Sequence, residues 1–490
     1  LIGNHYQTAA FLEVDMDKRY GLFIDNQFIE KGELKPVRSP WSGDTIAEVY
    51  RGMASEMMTA IDSAEKAFQR TKDLPTHRRR EILTKVATEI SDRTEELAIV
   101  LASEAAKPMK VARAEVIRAA STFTIATEEC SRLDNEILPL DITPVAGDRL
   151  ALVRRFPIGV IAGISPFNFP LNLVSHKVAP AIASGNTIVI KPASATPISA
   201  LLLGEIIANA GAFPGTLNVV PCSPTAAEPL LLDPRVQMIT FTGSDSVGWG
   251  LKARCGKKKI TLELGGNAAM IVEPDVEMEV VLQRAVAGGY GYAGQVCIAI
   301  QRIFVHREIF GTFLDQFVKK VIDLKMGDPL DESTDYSAMI DEGSAIQAEH
   351  RINEAVKAGG KLLCGGQREG NRLAASVLTE VPPDCDIVKE EAFAPVTVVE
   401  SYDTFEEALE GTNNSRFGLQ AGVFTNDINK AMMAFNRLQV GGVILNDFPT
   451  YRVDSFPYGG VKDSGFGREG VKYAMEEMTE RKVLVINNIR

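Results

Sequence analysis

The feature that most constrains this chain is a repeated unit of short apolar strand, turn and helix. It begins near residue 150 and runs to Gly265-Gly266, then resumes. In the first series the strands are Ala151 to Phe156, Gly159 to Gly163, Thr187 to Ile190, Leu217 to Val220, Met238 to Phe241 and Ile260 to Leu264. Helical stretches at Leu171 to Ala183, Ile198 to Ala210 and Ser246 to Ala253 fall among them. Strands that read as continuous apolar runs are buried on both faces, which helices between parallel strands achieve. The second series has strands near Ala269 to Val272, Arg302 to Val305, Val396 to Val399, Gly422 to Phe424 and Gly442 to Leu445. Helices are predicted there at Val276 to Ala287, Ile309 to Ile322 and Phe405 to Leu409. Residues 53 to about 135 read as helical, with Met53 to Gln69 and Thr76 to Ala105 carrying apolar residues at three- and four-residue spacing. The expected class is α/β, in two units joined near residue 266. The C-terminal Arg481 to Ile486 reads as a strand without a neighbour in sequence, completing a sheet elsewhere or in another subunit.

Composition narrows function. There are 52 Lys and Arg against 64 Asp and Glu in 490 residues, a net charge of −12, which argues against a general nucleic-acid binder. No run of 18 apolar residues suggests a membrane span. The start, Leu1 to His5, has no basic and apolar pattern of a secretory signal, and it lacks an initiator Met. Six Cys (130, 222, 255, 297, 364, 385) without CxxC spacing read as reduced thiols of a cytoplasmic protein. Five scattered His offer no zinc-like cluster, so no metal is expected.

GxGxxG occurs as Gly289-Tyr-Gly-Tyr-Ala-Gly294 and Gly465-Phe-Gly-Arg-Glu-Gly470. A dinucleotide loop must follow a strand and open a helix, and neither copy does. Their glycines are expected in tight turns or close packing. Phe241-Thr-Gly243-Ser244-Asp-Ser-Val247-Gly248 meets the condition and is the better phosphate loop; a plain structural turn explains it equally.

Three residue types suggest chemistry. Cys297, at a turn in Gly294-Gln-Val-Cys297, is a potential nucleophile; taken singly it is equally a small buried apolar residue. Glu263 closes an apolar strand, where burial would raise its pKa toward that of a useful base; the alternative is a solvated strand end. Asn168 lies between Pro166 and Pro170, where its amide could donate to an oxyanion or simply cap the loop.

Together these segments resemble the aldehyde dehydrogenase superfamily from about residue 25 to the C-terminus. The ordered motifs are Pro166-Phe-Asn168-Phe-Pro170, Lys191-Pro-Ala-Ser-Ala-Thr-Pro197, Phe241-Thr-Gly-Ser244, Leu262-Glu263-Leu-Gly-Gly266, Gly294-Gln-Val-Cys297, Glu391-Ala-Phe393-Ala-Pro-Val396 and Pro457-Tyr-Gly-Gly-Val-Lys-Asp-Ser-Gly465. The resemblance implies a Rossmann-like cofactor domain (1–135 and 159–265), a catalytic α/β domain (266–455), and oligomerisation or bridging segments (136–158 and 456–490). Homodimers or homotetramers would follow. It implies NAD(P)-dependent oxidation of an aldehyde. Cys297 adds to the carbonyl, Asn168 holds the oxyanion, hydride leaves for the nicotinamide, and Glu263 activates water against the thioester.

For NAD or NADP the resemblance implies contacts from Ile164, Ser165, Pro166, Phe167, Lys191, Ala193, Ser194, Gly243, Ser244, Val247, Leu264, Gly265, Glu391 and Phe393. Many NAD-preferring members carry Glu where Ser194 stands. Ser194 removes that repulsion, so NADP use is expected alongside or instead of NAD. The substrate would be a small, possibly anionic aldehyde of the semialdehyde, lactaldehyde or phospho- and phosphonoaldehyde type. Arg118 and Arg452 are the candidate ligands of its tail, each with an ordinary ion pair as the alternative. CoA-acylating relatives usually lack the hydrolytic Glu, so Glu263 argues for water as acceptor. A non-catalytic binding relative would not need all three of Cys297, Glu263 and Asn168.

Overall fold

The computed structural model describes residues 18–133, 135–147 and 149–487; Leu1 to His5, on which the leader-peptide expectation rests, lie outside the described residues. The first large sheet has eight strands, ordered Gly465–Phe466, Lys259–Glu263, Val236–Thr242, Val160–Ile164, Thr187–Lys191, Leu217–Val219, Leu22–Ile24 and Gln27–Ile29. The five from Lys259–Glu263 to Leu217–Val219 run parallel, and antiparallel strands close both ends. Every residue of Thr187–Lys191 is buried, as its unbroken apolar run requires. After Val160–Ile164 the chain adds Thr187–Lys191 on one side and returns to Val236–Thr242 on the other. That is the switch point of the sheet, where the strand ends splay and leave a crevice. Ser165 to Asn168, Lys191, Gly243 and Glu263 all stand at these carboxyl ends.

From Glu263 the chain crosses to a second sheet, ordered Lys361–Cys364, Ser376–Thr379, Val396–Tyr402, Ile300–His306, Ala268–Val272, Gln420–Phe424 and Gly442–Leu445. It is parallel except for the first strand. Two apolar cores lie on either side of the first sheet and another packs on the second. A third, antiparallel sheet joins Thr479–Asn487, Arg149–Pro157 and Glu136–Pro139. The C-terminal strand therefore finds its partner within the chain, and its other edge is unpaired among the described residues. No helix among the described residues is long and apolar enough to cross a membrane.

The structure departs from the periodicity in places. The expected single helix over Thr76 to Ala105 is two, Thr76–Asp92 and Thr94–Ala105, broken at Arg93 (φ −98°, ψ 23°). The apolar stripe continues from Ile90 to Leu97 and Leu101 across the break, which hides it. Helix Glu342–Lys357 was not expected; three of its four buried residues are alanines, a weak apolar signal. In the second GxGxxG, Gly465–Phe466 is an edge strand on Lys259–Glu263, and Gly467 and Gly470 (φ +81° and +96°) take the turn conformations expected of them. In the first, Gly294 has φ +67°, and a Cβ there would lie 2.1 Å from the Ala394 carbonyl oxygen.

Candidate active site

A cavity of about 730 Å³ opens at the crevice of the first sheet. Cys297, Glu263 and Asn168 all line it, although they stand far apart in the chain. So do Ile164, Ser165, Pro166, Phe167, Lys191, Ala193, Gly243, Ser244, Val247, Leu264, Gly265, Glu391 and Phe393. Three expected residues are not among its walls. Ser194 lies beside Ala193, its carbonyl accepting from Arg51 Nη2 at 3.3 Å. Arg118 and Arg452 belong to a charge network described below.

The walls suit a dinucleotide. The ten-residue helix Asp245–Arg254 opens on the cavity, and its first residue follows Ser244, which is extended and makes no side-chain cap. Free N–H groups and the helix dipole there favour a pyrophosphate. The backbone must come close: a Cβ on Gly248 would meet Leu264 at 2.4 Å, and one on Gly265 would meet Glu391 at 2.6 Å. The Ser165 hydroxyl is buried without a partner. Lys191 is buried, which lowers its pKa, and Nζ donates to the Pro192 carbonyl at 3.1 Å. Glu391 accepts the Gly266 N–H at 2.8 Å, and burial pushes its carboxyl up to about 7. Its neighbour Glu390 turns away to Arg416. Phe393 packs edge-on against Phe167, ring centroids 5.8 Å apart.

Cys297 follows a strained loop. Helix Met278–Tyr290 runs into Tyr292, Ala293 and Gly294, three consecutive left-handed residues. Such a run persists only where its surroundings hold it. The Tyr292 hydroxyl donates to the Ala105 carbonyl (2.9 Å) and its ring lies under Lys107 Nζ (4.6 Å). Lys107 also donates to the Asn168 carbonyl (2.6 Å) and pairs with Glu115, whose carboxylate accepts the Leu171 and Asn172 N–H groups. Both side chains of the pair are wholly buried. One ion pair thus grips the Asn168 loop and the Cys297 loop together. Asn168 Nδ2 donates to the Gln295 carbonyl at 2.9 Å, leaving a second N–H for another acceptor.

Burial pushes the Cys297 thiol up to about 11, against the Tyr458 hydroxyl 3.4 Å away, which lowers it. Both oxygens of Glu263 are buried without hydrogen-bond partners. Burial, then the charge on Glu469, holds the Glu263 carboxyl well above its ordinary pKa. Glu469 is the opposite case. Burial acts upward, but Lys177, His176 and Arg452 outweigh it and keep the carboxylate well below the usual range. Lys177 Nζ donates to Glu469 at 3.0 Å and to the Thr242 hydroxyl at 2.7 Å.

Lys177, His176 and Glu469 were not expected from sequence. The signal was present: helix Asn172–Ser184 is buried at every residue, yet carries His176 and Lys177 within an apolar run. Buried charges must be paired. The same network holds both candidate arginines. Arg118 Nη2 donates to Asp454 at 2.8 Å, and Arg452 lies against His176 (2.7 Å), Glu469 (3.2 Å) and the Tyr458 ring (3.6 Å). His176 Nε2 lies 3.0 Å from Asp454. Among the described residues the buried Nε of Arg118 has no hydrogen-bond partner, while that of Arg452 lies 3.5 Å from Asp454.

Comparison with known proteins identifies the family. The aldehyde dehydrogenase family model matches residues 28–484. The chain is 40% identical over 471 residues to the 3-sulfolactaldehyde dehydrogenase of Priestia megaterium, covering 96% of this chain and 98% of that one. Aldehyde dehydrogenase 21 of Physcomitrella patens, solved with the reaction product succinate, is 44% identical with a TM-score of 0.94, covering 96% and 99% of the two chains. The glyceraldehyde-3-phosphate dehydrogenase of Methanocaldococcus jannaschii, solved with NADP, is 40% identical with a TM-score of 0.89, covering 94% and 100%.

Proposed function

Since the chain belongs to the aldehyde dehydrogenase family, and so oxidises an aldehyde with NAD or NADP as acceptor, we propose that Cys297, Asn168 and Glu263 carry the reaction and that the substrate is a small aldehyde with an anionic tail. The observation that carries the assignment is the convergence of the three side chains on one cavity. Cys297 Sγ adds to the aldehyde carbon, and the free N–H of Asn168 stabilises the oxyanion. When bound, the nicotinamide cofactor would supply the hydride acceptor that converts the thiohemiacetal on Cys297 to an acyl thioester. Lys191, Glu391 and the N-terminus of Asp245–Arg254 would hold the dinucleotide. Glu263, once ionised, takes a proton from water, its basicity raised by burial, and the hydroxide displaces the thiolate. Glu469 stays charged beside it and keeps that basicity high.

Charge supports an anionic tail. Arg118, Arg452 and Lys177 face Asp454 and Glu469, three cations against two carboxylates held ionised. The Nε of Arg118, buried without a hydrogen-bond partner among the described residues, adds a donor. Arg118 is the better placed of the two, with a side chain 33% exposed against 6% for Arg452. The products or substrates named for the relatives, succinate, sulfolactaldehyde and glyceraldehyde 3-phosphate, all carry such a group. Steady-state oxidation of succinic semialdehyde, 3-sulfolactaldehyde, lactaldehyde and propanal tests the reading. Arg118→Leu should raise KM for the anionic aldehydes about 10- to 100-fold, as expected for a lost charge-assisted contact, and leave propanal unchanged. An unchanged KM for the acids would remove Arg118 from the site.

The same reading extends to assembly and location. Val483, Leu484, Val485 and Ile486 are exposed on the free edge strand of the third sheet, with Ile137 nearby on the same sheet. An exposed apolar edge calls for a partner, which a homodimer or homotetramer supplies. Six free thiols fit a cytoplasmic setting.

A further inference from the structure

Lys191 lines the cavity, and Arg51 reaches the neighbouring Ser194 turn just outside its walls; neither cation has a carboxylate against it among the described residues. Arg51 ends the strand Thr45–Arg51. The next residue, Gly52, forms a bridge to Cys222, and its Cα packs so closely on Val220 and Leu22 that a Cβ would lie about 3 Å from both. This fixes the end of the strand against the first sheet. From there the Arg51 side chain reaches the turn after Lys191, where Nη2 donates to the Ser194 carbonyl. That is its one hydrogen bond among the described residues, and it forms no ion pair there. Among the described residues Lys191 likewise donates only to Pro192. Its pKa is lowered by burial, with the nearby positive charge of Arg51 adding to the effect. The Ser194 hydroxyl makes no hydrogen bond among the described residues.

Like charges brought together in a half-buried place repel each other, and an anion between them relieves the repulsion. A guanidinium has spare donors in a fork that matches phosphate oxygens. We propose that Arg51 is a specificity-determining residue, which with the Ser194 hydroxyl and Lys191 receives the 2′-phosphate of NADP and favours NADP over NAD. The proposal rests on Lys191 marking the adenosine ribose. It reaches beyond the motifs, because Arg51 lies 143 residues upstream of Ser194 on a separate small sheet. NAD places only a hydroxyl where this cluster would meet a doubly charged group, so Arg51 has little to act on there.

The test is direct binding, followed by calorimetry without aldehyde. The parent enzyme, Arg51→Leu and Arg51→Lys are each titrated with NADP, NAD, 2′,5′-ADP and 5′-ADP. Arg51→Leu should weaken NADP and 2′,5′-ADP about 10- to 100-fold, the loss expected of a hydrogen bond to a charged group. NAD and 5′-ADP should change less than about twofold, since neither carries a charge at the ribose 2′ position. Arg51→Lys should fall between. Equal losses for all four ligands, or no loss for any, would overturn the role of Arg51 while leaving the cofactor cavity standing. A parent enzyme that binds none of the four would overturn the cavity assignment and the proposal with it.

Discussion

The Glu263→Gln substitution separates the stability of the site from its chemistry. Glu263 is 3% exposed, its oxygens have no partners, and burial with the charge on Glu469 raises its pKa well above the ordinary value. In the unfolded chain a Glu ionises near about 4.3. Between that value and its folded pKa, the native carboxyl keeps a proton that the unfolded one has lost. The native state binds more protons, so stability falls with rising pH, by about 1.4 kcal/mol per unit. Gln has no proton to lose and carries no such slope. The variant should match the parent near the unfolded value and gain on it by about 1.4 kcal/mol for each pH unit of the interval. At about 2.1 cal/mol/K of unfolding entropy per residue, that is about 1.4 °C per pH unit in a chain of this length. Thermal midpoints of both proteins, read by calorimetry in steps between about pH 5 and 8, measure the difference over this interval. In parallel, rapid mixing with cofactor and aldehyde should give about one equivalent of reduced cofactor per subunit and then stall, because the thioester is not hydrolysed. A difference in midpoint that is flat with pH, or that grows in the parent's favour, would refute the buried protonated carboxyl. Unimpaired steady turnover would refute its role as base.

Asn168→Ala should lower kcat about 100- to 1,000-fold, the usual loss for an oxyanion donor, with cofactor affinity retained; rapid mixing and direct titration check the two parts. Alkylation of Cys297 in the absence of cofactor and aldehyde should be slow at neutral pH and rise about tenfold per pH unit toward about 11; a rate that is level above neutrality would contradict the buried thiol. Lys107→Met leaves Glu115 buried and unpaired, and should destabilise the protein by about 3–5 kcal/mol. The double variant Lys107→Met, Glu115→Leu should recover most of that in denaturant titration. Its kcat should stay depressed, because the clamp on Asn168 and Tyr292 is absent in both.

Local patterns of glycine, proline and strand end singled out Cys297, Glu263 and Asn168, each with an ordinary alternative, and the family resemblance joined them; the fold brings all three to one cavity. The Gly243 turn was distinguishable from the two GxGxxG decoys because only it joins a strand to a helix. What sequence hid was pairing at a distance. Lys177 and Glu469 lie 292 residues apart and meet only because helix Asn172–Ser184 is buried against the Gly465–Gly470 turn. Arg118 and Arg452 read as possible substrate ligands, but Asp454 between them, which fixes both, was invisible until the fold closed. The break at Arg93 escaped periodicity because the apolar stripe passes through it unchanged. Arg51 offered no local pattern, only a contact made across the first sheet.

The helix Asn172–Ser184 has a consequence for anyone reshaping this enzyme. His176 and Lys177, adjacent on it, join Asp454, Arg118 and Arg452 at one end to Glu469 and hence Glu263 at the other. On the roles proposed for Arg118, Arg452 and Glu263, recognition of the incoming molecule and release of the finished acid would draw on a single electrostatic circuit. A redesigned acceptance for uncharged aldehydes, made by neutralising Arg118 or Arg452, would also retune the final hydrolytic step. The paired substitutions should be epistatic rather than additive, and screens that vary the two ends separately would miss the productive combinations.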